Sequence, residues 1–382
     1  MYKSLSSLRP LSHTTHHHRT FIPNNMSANK KIITVIGGTG AQGRPVIEAL
    51  VAAPSPFAVR ILTRDANHEL AKELVAKFGV EFVEGSVLDD AAVAKAFKGA
   101  YGAFINIDTF TVGEVAELHA GVRAYELACA AGVEHFVWSS LDYKLKDNRY
   151  DDRYGAPHYN VKGRVWEFIK SQAKDGDMFC SLLITGPYTE SLGSIYAPIG
   201  QRKSDGAVVF ALPWGAPESN LRFPFISLPD IAFFARWIFD DPPAKGTVKE
   251  VPIMSEFISG PELAQAFQNA TGQRAVYVPQ TIEEYVASLP FKDMPLNADD
   301  KSPDLKKWTW GKFFTTSMRQ WIEPDQLLRD RDMAWIKSIH PGTLSVEQWM
   351  KATGYTGIPG KNPLKRWEAA RPQRLGLEHL LE

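Results

Sequence analysis

Cysteine is nearly absent from this chain of 382 residues, where only Cys129 and Cys180 occur. Two thiols cannot frame a disulfide-stapled fold of this length, and their scarcity fits a reducing compartment. An excess of one charge is lacking too, because 43 basic and 43 acidic side chains cancel. A protein that grips nucleic acid directly ordinarily carries a basic excess or stripe, so direct nucleic-acid binding is not expected. No apolar run approaches the roughly 20 residues that span a bilayer, and no membrane role is expected. Acidic residues are missing altogether before Glu48. Residues 1–30 are therefore basic and Ser-rich, are interrupted by Pro10, Pro23 and the run His16–His18, and read as a disordered tail. The same composition suits a mitochondrial transit segment; otherwise the expected location is cytoplasmic, with the nucleus also open. Either Met1 or Met26 serves as the start. Three histidines on a floppy tail present no fixed geometry, so no metal site is assigned.

What is present is an ordinary globular balance, 44% hydrophobic and 23% charged, enough apolar material for a sizeable core. From Lys31 the chain alternates strand and helix patterns. Strands are expected at Lys31–Ile36, Ala58–Leu62, Val80–Val83, Gly102–Ile105, Val133–Ser139 and Phe179–Ile184. Helices are expected at Pro45–Ala52, Asn67–Phe78, Asp90–Phe97, Val112–Ala131 and Lys162–Gln172. Such alternation demands crossover connections and hence an α/β fold with a doubly wound parallel Rossmann sheet, assigned to residues 31–190.

Beyond Pro187 the rhythm changes. Gly193–Phe225 is rich in Gly, Pro and aromatics, and reads as loop with short strands lying over the cleft. Helices at Pro229–Phe239 and Gly260–Ala270, the latter stopped by Gly272, alternate with short strands at Lys249–Pro252 and Val276–Val278. Trp308, Trp310, Trp321, Trp335, Trp349 and Trp367 then crowd the tail; at that density they suit a packed helical subdomain better than a ligand box. Residues 191–382 thus read as a smaller C-terminal α+β and helical region that completes the cleft, binds substrate or partner, and shares part of the sheet.

The chemistry begins at VIGGTGAQG. Gly37, Gly40 and Gly43 form G-x-x-G-x-x-G directly after a strand and directly before a helix. Glycine permits the tight turn and close backbone approach, and the helix N-terminus offers unpaired N–H groups to a diphosphate. Thr39 and Gln42 sit inside this loop with side chains able to bond phosphate or ribose. At the end of the second strand Arg64 precedes Asp65, and a guanidinium there pairs with a 2′-phosphate, which favours NADP(H) while leaving NAD(H) open. The fifth strand ends in Ser139-Ser140, the usual place for a hydroxyl that holds a substrate oxygen. Tyr159 and Lys162 lie three apart, so they share a helix face without the four-residue offset of a reductase Tyr-Lys pair. Tyr143 is a second candidate proton donor, His158 lacks an evident orienting partner, and both cysteines read as core.

VIGGTGAQG, VRILTRD, GSVLDD, AFINIDTF, HYNVKG, TGPYTES and ISLPDIA together resemble the NmrA-like family of atypical short-chain dehydrogenase/reductases, over about Lys31–Gly272. The resemblance implies a dinucleotide loop comprising Gly37, Gly38, Thr39, Gly40, Ala41, Gln42 and Gly43, with Arg64 on the adenosine phosphate. It places Ser86 and Val87 beside adenine, although Ser86 departs from the Asp often found there. Asn106, Ile107 and Asp108 would run beneath the nicotinamide half, Lys162 would reach its ribose, and Gly186, Pro187, Tyr188 and Thr189 would close over it. Two functions are implied: a redox-sensing regulator that binds a dinucleotide and a partner protein, or an NADPH-dependent oxidoreductase, similar to isoflavone-reductase-like proteins, acting on a small carbonyl, imine or alkene. For the second, Lys162, Tyr159 and Ser140 are the candidate catalytic residues.

Overall fold

In the computed structural model, which describes residues 30–173, 176–219, 221–296, 308–323, 331–358 and 374–382, apolar runs and amphipathic segments alternate from the start. The order is β1 (Lys31–Ile36), α1 (Gly43–Val51), β2 (Phe57–Thr63), α2 (Glu69–Phe78), β3 (Glu81–Glu84), α3 (Asp90–Phe97) and β4 (Gly102–Ile105). There follow α4 (Thr109–Val112), α5 (Glu114–Ala130), β5 (His135–Ser140), α6 (Lys144–Asp147), α7 (Pro157–Ala173) and β6 (Phe179–Ile184). The second half contributes β7 (Gly200–Gln201), β8 (Val208–Leu212), β9 (Phe223–Phe225), α8 (Leu228–Asp240), β10 (Val248–Pro252), β11 (Glu256–Ile258), α9 (Gly260–Thr271) and β12 (Ala275–Pro279). Helices α10 (Ile282–Ala287), α11 (Trp310–Ile322), α12 (Met333–Ile339) and α13 (Val346–Thr353) complete the series. Trp367 and the expected N-terminal tail up to Asn29 lie outside the described residues.

Seven strands form one sheet in the order β3-β2-β1-β4-β5-β6-β10, and every pairing in it is parallel. The expected doubly wound fold is therefore present. Its seventh strand comes from the second half of the chain, with Val248 opposite Cys180 and Pro252 opposite Ile184. Strand alternation sends Ile36, Phe136 and Leu182 into a core against α3, α5 and α7. Val35, Ile61, Val137 and Leu183 point the other way, against α1 and α8. A third core, aromatic in character, joins β8, β9, α9, α10, α11 and α13, so the tryptophan-rich tail is a packing element. Beside it β8 pairs with β12 and β7, and β9 with β11, in two small sheets.

The larger departures from the sequence reading have local reasons. The expected helix Val112–Ala131 is two helices, because Gly113 takes φ +92° and breaks the ladder between α4 and α5. Helix α7 starts five residues earlier than expected, at Pro157, where the missing N–H and fixed φ suit a first turn. Helix α9 begins and stops as its sequence dictates, with a reciprocal Ser259–Glu262 capping box and left-handed Gly272 at its end.

His135 supplies a test of the buried core. Its ring is fully buried on β5, with Nε2 2.9 Å from Ser181 Oγ and the Phe179 and Phe239 rings around it. Burial, with Lys249 adding to it, pushes its pKa down to about 3. The unfolded chain therefore takes up a proton that the folded chain refuses below the ordinary histidine value, and stability falls as the pH drops from there towards 3. Urea unfolding at pH 7 and pH 5 should show that His135→Gln shrinks the loss on acidification by about 2 kcal/mol, since each pH unit across the window is worth about 1.4 kcal/mol. An identical loss in both proteins would mean that His135 is protonated in the fold.

Candidate functional site

The strand order reverses between β1 and β4, which opens a crevice at the carboxyl ends of these strands, the place where open α/β sheets bind ligands. The glycine loop fills its rim. Gly37 has φ +81°, and a Cβ there would sit 2.3 Å from the Asn106 carbonyl oxygen, just past β4. A Cβ on Gly43 would lie 2.2 Å from the Gly37 oxygen, so the turn closes only without side chains at these points. Gly38 is similarly crowded by Ile61, whereas Gly40 is exposed, and its amide donates to the Gly37 oxygen at 3.0 Å. Thr39 and Ala41 are half-buried along the loop.

Helix α1 starts here with no side-chain cap and no acid in its first turn, so its partial positive charge is not neutralised by the helix itself. Gln42 is buried, and its Oε1 accepts from Ser139 Oγ at 2.8 Å, linking the loop after β1 to the end of β5. Its Nε2, also buried, has no partner among the described residues, and neither has Arg44 Nε. Buried donors without acceptors are costly, and an anionic or carbonyl-bearing ligand would satisfy them. The loop therefore fits a dinucleotide.

At the β2 end Arg64 is exposed. Asp65 is committed locally, its Oδ1 accepting from the Asn67 amide at 2.8 Å and its carbonyl from Thr63 Oγ1 at 3.2 Å. Beyond β3, Ser86 and Val87 are half-buried, and Ser86 Oγ accepts from the Leu88 amide at 3.2 Å. These residues lie on the β2–β3 side of the loop, and the remaining candidates lie on the β4–β5 side.

There Lys162 is 5% exposed. Its Nζ donates to the Ile107 carbonyl at 2.7 Å and meets Glu117 Oε1 at 2.7 Å, an ion pair more than an aligned hydrogen bond. Thr109 donates its hydroxyl to the other Glu117 oxygen. Glu117, on α5, is completely buried; burial pushes its carboxyl up from the ordinary value, with Lys162 and Thr109 pulling the other way. Sequence reasoning missed this residue, since one more acid on an exposed-looking helix carries no signal. Asp108 is exposed and caps α4 through the Phe110 amide and Thr111 hydroxyl, while Asn106 is half-buried.

Tyr159 is buried against Trp321, ring centroids 5.4 Å apart, and beside His158 at 4.4 Å. Burial, with Asp142 nearby, drives its phenol far above the ordinary value, which opposes proton donation near neutrality. Ser140 is buried, its hydroxyl turned to the Leu141 carbonyl at 3.2 Å. Tyr143 packs onto Gly163 of α7. In the closing stretch Gly186 lies under Met254, Tyr188 bridges to Ile226, and the Thr189 amide donates to Ile226 O at 3.0 Å; Pro187 accepts from the Ile226 amide at 3.0 Å. Burial, with Asp108 and Glu190 near, also raises the Tyr188 phenol.

A second buried pair was equally invisible in the sequence. Arg331, from the tail, grips Asp142 with both nitrogens at 2.8 and 3.0 Å, just after β5. It also donates to the carbonyls of Thr185 and Ile253 at 3.2 and 3.4 Å, just after β6 and β10. Burial would raise the Asp142 carboxyl, but the guanidinium overrides it and holds the group below the usual carboxylate range.

A model of the NmrA-like family matches residues 29–301, and the chain belongs to that family. It is 29% identical over 317 residues, 79% of this chain and 88% of the relative, to the NmrA-like family domain-containing oxidoreductase malD of Malbranchea aurantiaca. Among solved structures it resembles NmrA, a negative transcriptional regulator, in complex with NADP, with a TM-score of 0.61, 20% identity and coverage of 85% of this chain and 95% of that one. It also resembles the NADPH-dependent quinone oxidoreductase QOR2 of Escherichia coli in complex with NADPH, with a TM-score of 0.60, 18% identity and coverage of 84% and 99%. At these identities the structural likenesses establish the fold.

Removing one partner of a buried pair leaves the other charge stranded, so Arg331→Met should destabilise the chain by about 3–5 kcal/mol in urea unfolding. Asp142→Leu added to it should recover most of that loss. A single-variant loss below about 1 kcal/mol would show that the pair does not hold the tail to the sheet.

Proposed function

We propose that this NmrA-like protein binds a nicotinamide dinucleotide, NADP(H) ahead of NAD(H), in the crevice between β1 and β4, and that it acts as a redox-responsive regulator read by a partner protein. One observation carries the regulator reading: the groups beside the nicotinamide half are engaged in holding the fold instead of forming an acid–base pair. Lys162 is bound to Glu117 and Ile107, and the Tyr159 phenol is buried and raised. The bound dinucleotide would supply or accept a hydride. The chain's own part is to hold it, through loop amides at the start of α1 on the diphosphate, Arg64 on the 2′-phosphate and Lys162 on the nicotinamide ribose. Preference for NADP(H) is supported by an exposed Arg64 beside an Asp65 already committed to its own turn. Regulation further requires that the partner-competent state bind one redox form more tightly, since equal affinity shifts nothing.

A second reading, an NADPH-dependent reductase of a small carbonyl, imine or alkene, is favoured by a specific finding: the relative malD is named an oxidoreductase. In that reading Ser140 orients the substrate oxygen and Tyr159 or Tyr143 gives the proton.

Calorimetric titration with NADPH, NADP, NADH and NAD, followed by NADPH-oxidation assays across carbonyls, imines and alkenes, separates the readings. Binding without turnover supports the regulator and turnover supports the reductase; failure to bind any of the four overturns both. Arg64→Ala should weaken NADPH about tenfold or more while changing NADH less than about threefold, because a guanidinium–phosphate contact is charge-assisted and bidentate. Equal losses would show that Arg64 does not touch the phosphate.

A further inference from the structure

The Lys162–Glu117 pair lies on the β4–β5 side of the glycine loop, where the nicotinamide half belongs if the dinucleotide reading above is right. Oxidised and reduced cofactors are alike except at the ring, which carries a formal positive charge only when oxidised. A fixed charge near the ring therefore acts on the difference between the two forms and on little else. Lys162 alone would be such a charge, 5% exposed and poorly screened. Glu117, fully buried, cancels it at 2.7 Å. Burial disfavours the Glu117 charge, while both of its oxygens face donors, the Lys162 ammonium and the Thr109 hydroxyl, which favour the ionised carboxylate. Nearby, Arg164 and Glu114 pair with each other and add no net charge, and the Trp138 ring lies 4.9 Å from the ammonium. Asp108, the other acid close to Glu117, caps α4 and is the same in every variant compared below, so its charge drops out of the comparison.

We propose that Glu117 is the residue that sets the relative affinity for oxidised and reduced dinucleotide, by neutralising Lys162 beside the nicotinamide. It acts through Lys162 and is a positioning and specificity residue.

The test is calorimetric titration of NADP and NADPH at pH 8 against the wild-type chain, Glu117→Gln, Thr109→Val and the double variant Glu117→Gln/Lys162→Met. Glu117→Gln leaves the ammonium uncancelled, and the ratio of the oxidised to the reduced Kd should rise about tenfold, the size expected of a unit charge at partial screening. Thr109→Val, which removes a donor that holds Glu117 ionised, should raise the ratio about threefold and serves if Glu117→Gln does not fold. The double variant, with neither charge, should return to within about threefold of the wild-type ratio. A merely structural role would weaken both forms alike and leave the ratio fixed. An unchanged ratio in Glu117→Gln and Thr109→Val overturns the proposal, as does a double variant shifted as far as Glu117→Gln. A wild-type chain that binds neither form would instead bring down the dinucleotide reading, and this inference with it.

Discussion

Backbone sterics at the glycine loop set the working end of this molecule. The Gly37 oxygen occupies the space in which a Gly43 side chain would start, and the Asn106 oxygen does the same to Gly37. Both contacts are to main chain, so no change of rotamer can relieve them. The turn must close to this geometry for α1 to begin at the edge of the sheet. Once it does, the helix packs against α8, its uncapped end faces the switch point, and the stretch from Asn106 to Asp108 is pinned beside it. The orientation of Gln42 towards Ser139 follows from that closure, and Lys162 reaches the stretch it pins through the Ile107 carbonyl.

Charge is buried around this crevice in two places, and each pair ties together segments far apart in sequence. Lys162 and Glu117 join α7 to α5 and, through Ile107 and Thr109, to the turn after β4. Arg331 and Asp142 join the tail to the ends of β5, β6 and β10. Apolar groups of the same shape would hold such segments at no desolvation cost, so these pairs contribute little net stability. What they impose is geometry, since a stranded partner is far more unfavourable than a matched one. The two pairs differ in one respect. Arg331 overrides the burial of Asp142, whereas Glu117 stays raised despite Lys162, which makes its charge the more easily perturbed of the two.

Aromatic packing surrounds the start of α7. The aromatic core that holds Tyr159 includes Trp321, Phe313 and Phe314 of α11, so the tail packs directly over the start of α7. His158 belongs to the same set, tilted against Phe110 and Phe313. Aromatic packing of this kind fixes ring orientations within a cluster. It explains why the three-residue spacing of Tyr159 and Lys162 yields two side chains with different surroundings, one in an apolar core and one in an ionic network.

The sequence by itself determined the strand-helix alternation from Lys31, the sheet's parallel character, the glycine turn at Gly37–Gly43 and the glycine that stops α9. These are local matters, because periodicity or a missing Cβ acts within a few residues. The sequence also showed a strand at Lys249–Pro252 and a helix from Lys162 onward, without revealing what they would touch. Tertiary structure alone decided that β10 becomes the seventh strand, that Lys162 meets Glu117 45 residues earlier in the chain, and that Arg331 reaches Asp142 across 189 residues. A buried ion pair has no period and no fixed spacing, and only the packing of distant helices and strands removes water from both charges at once.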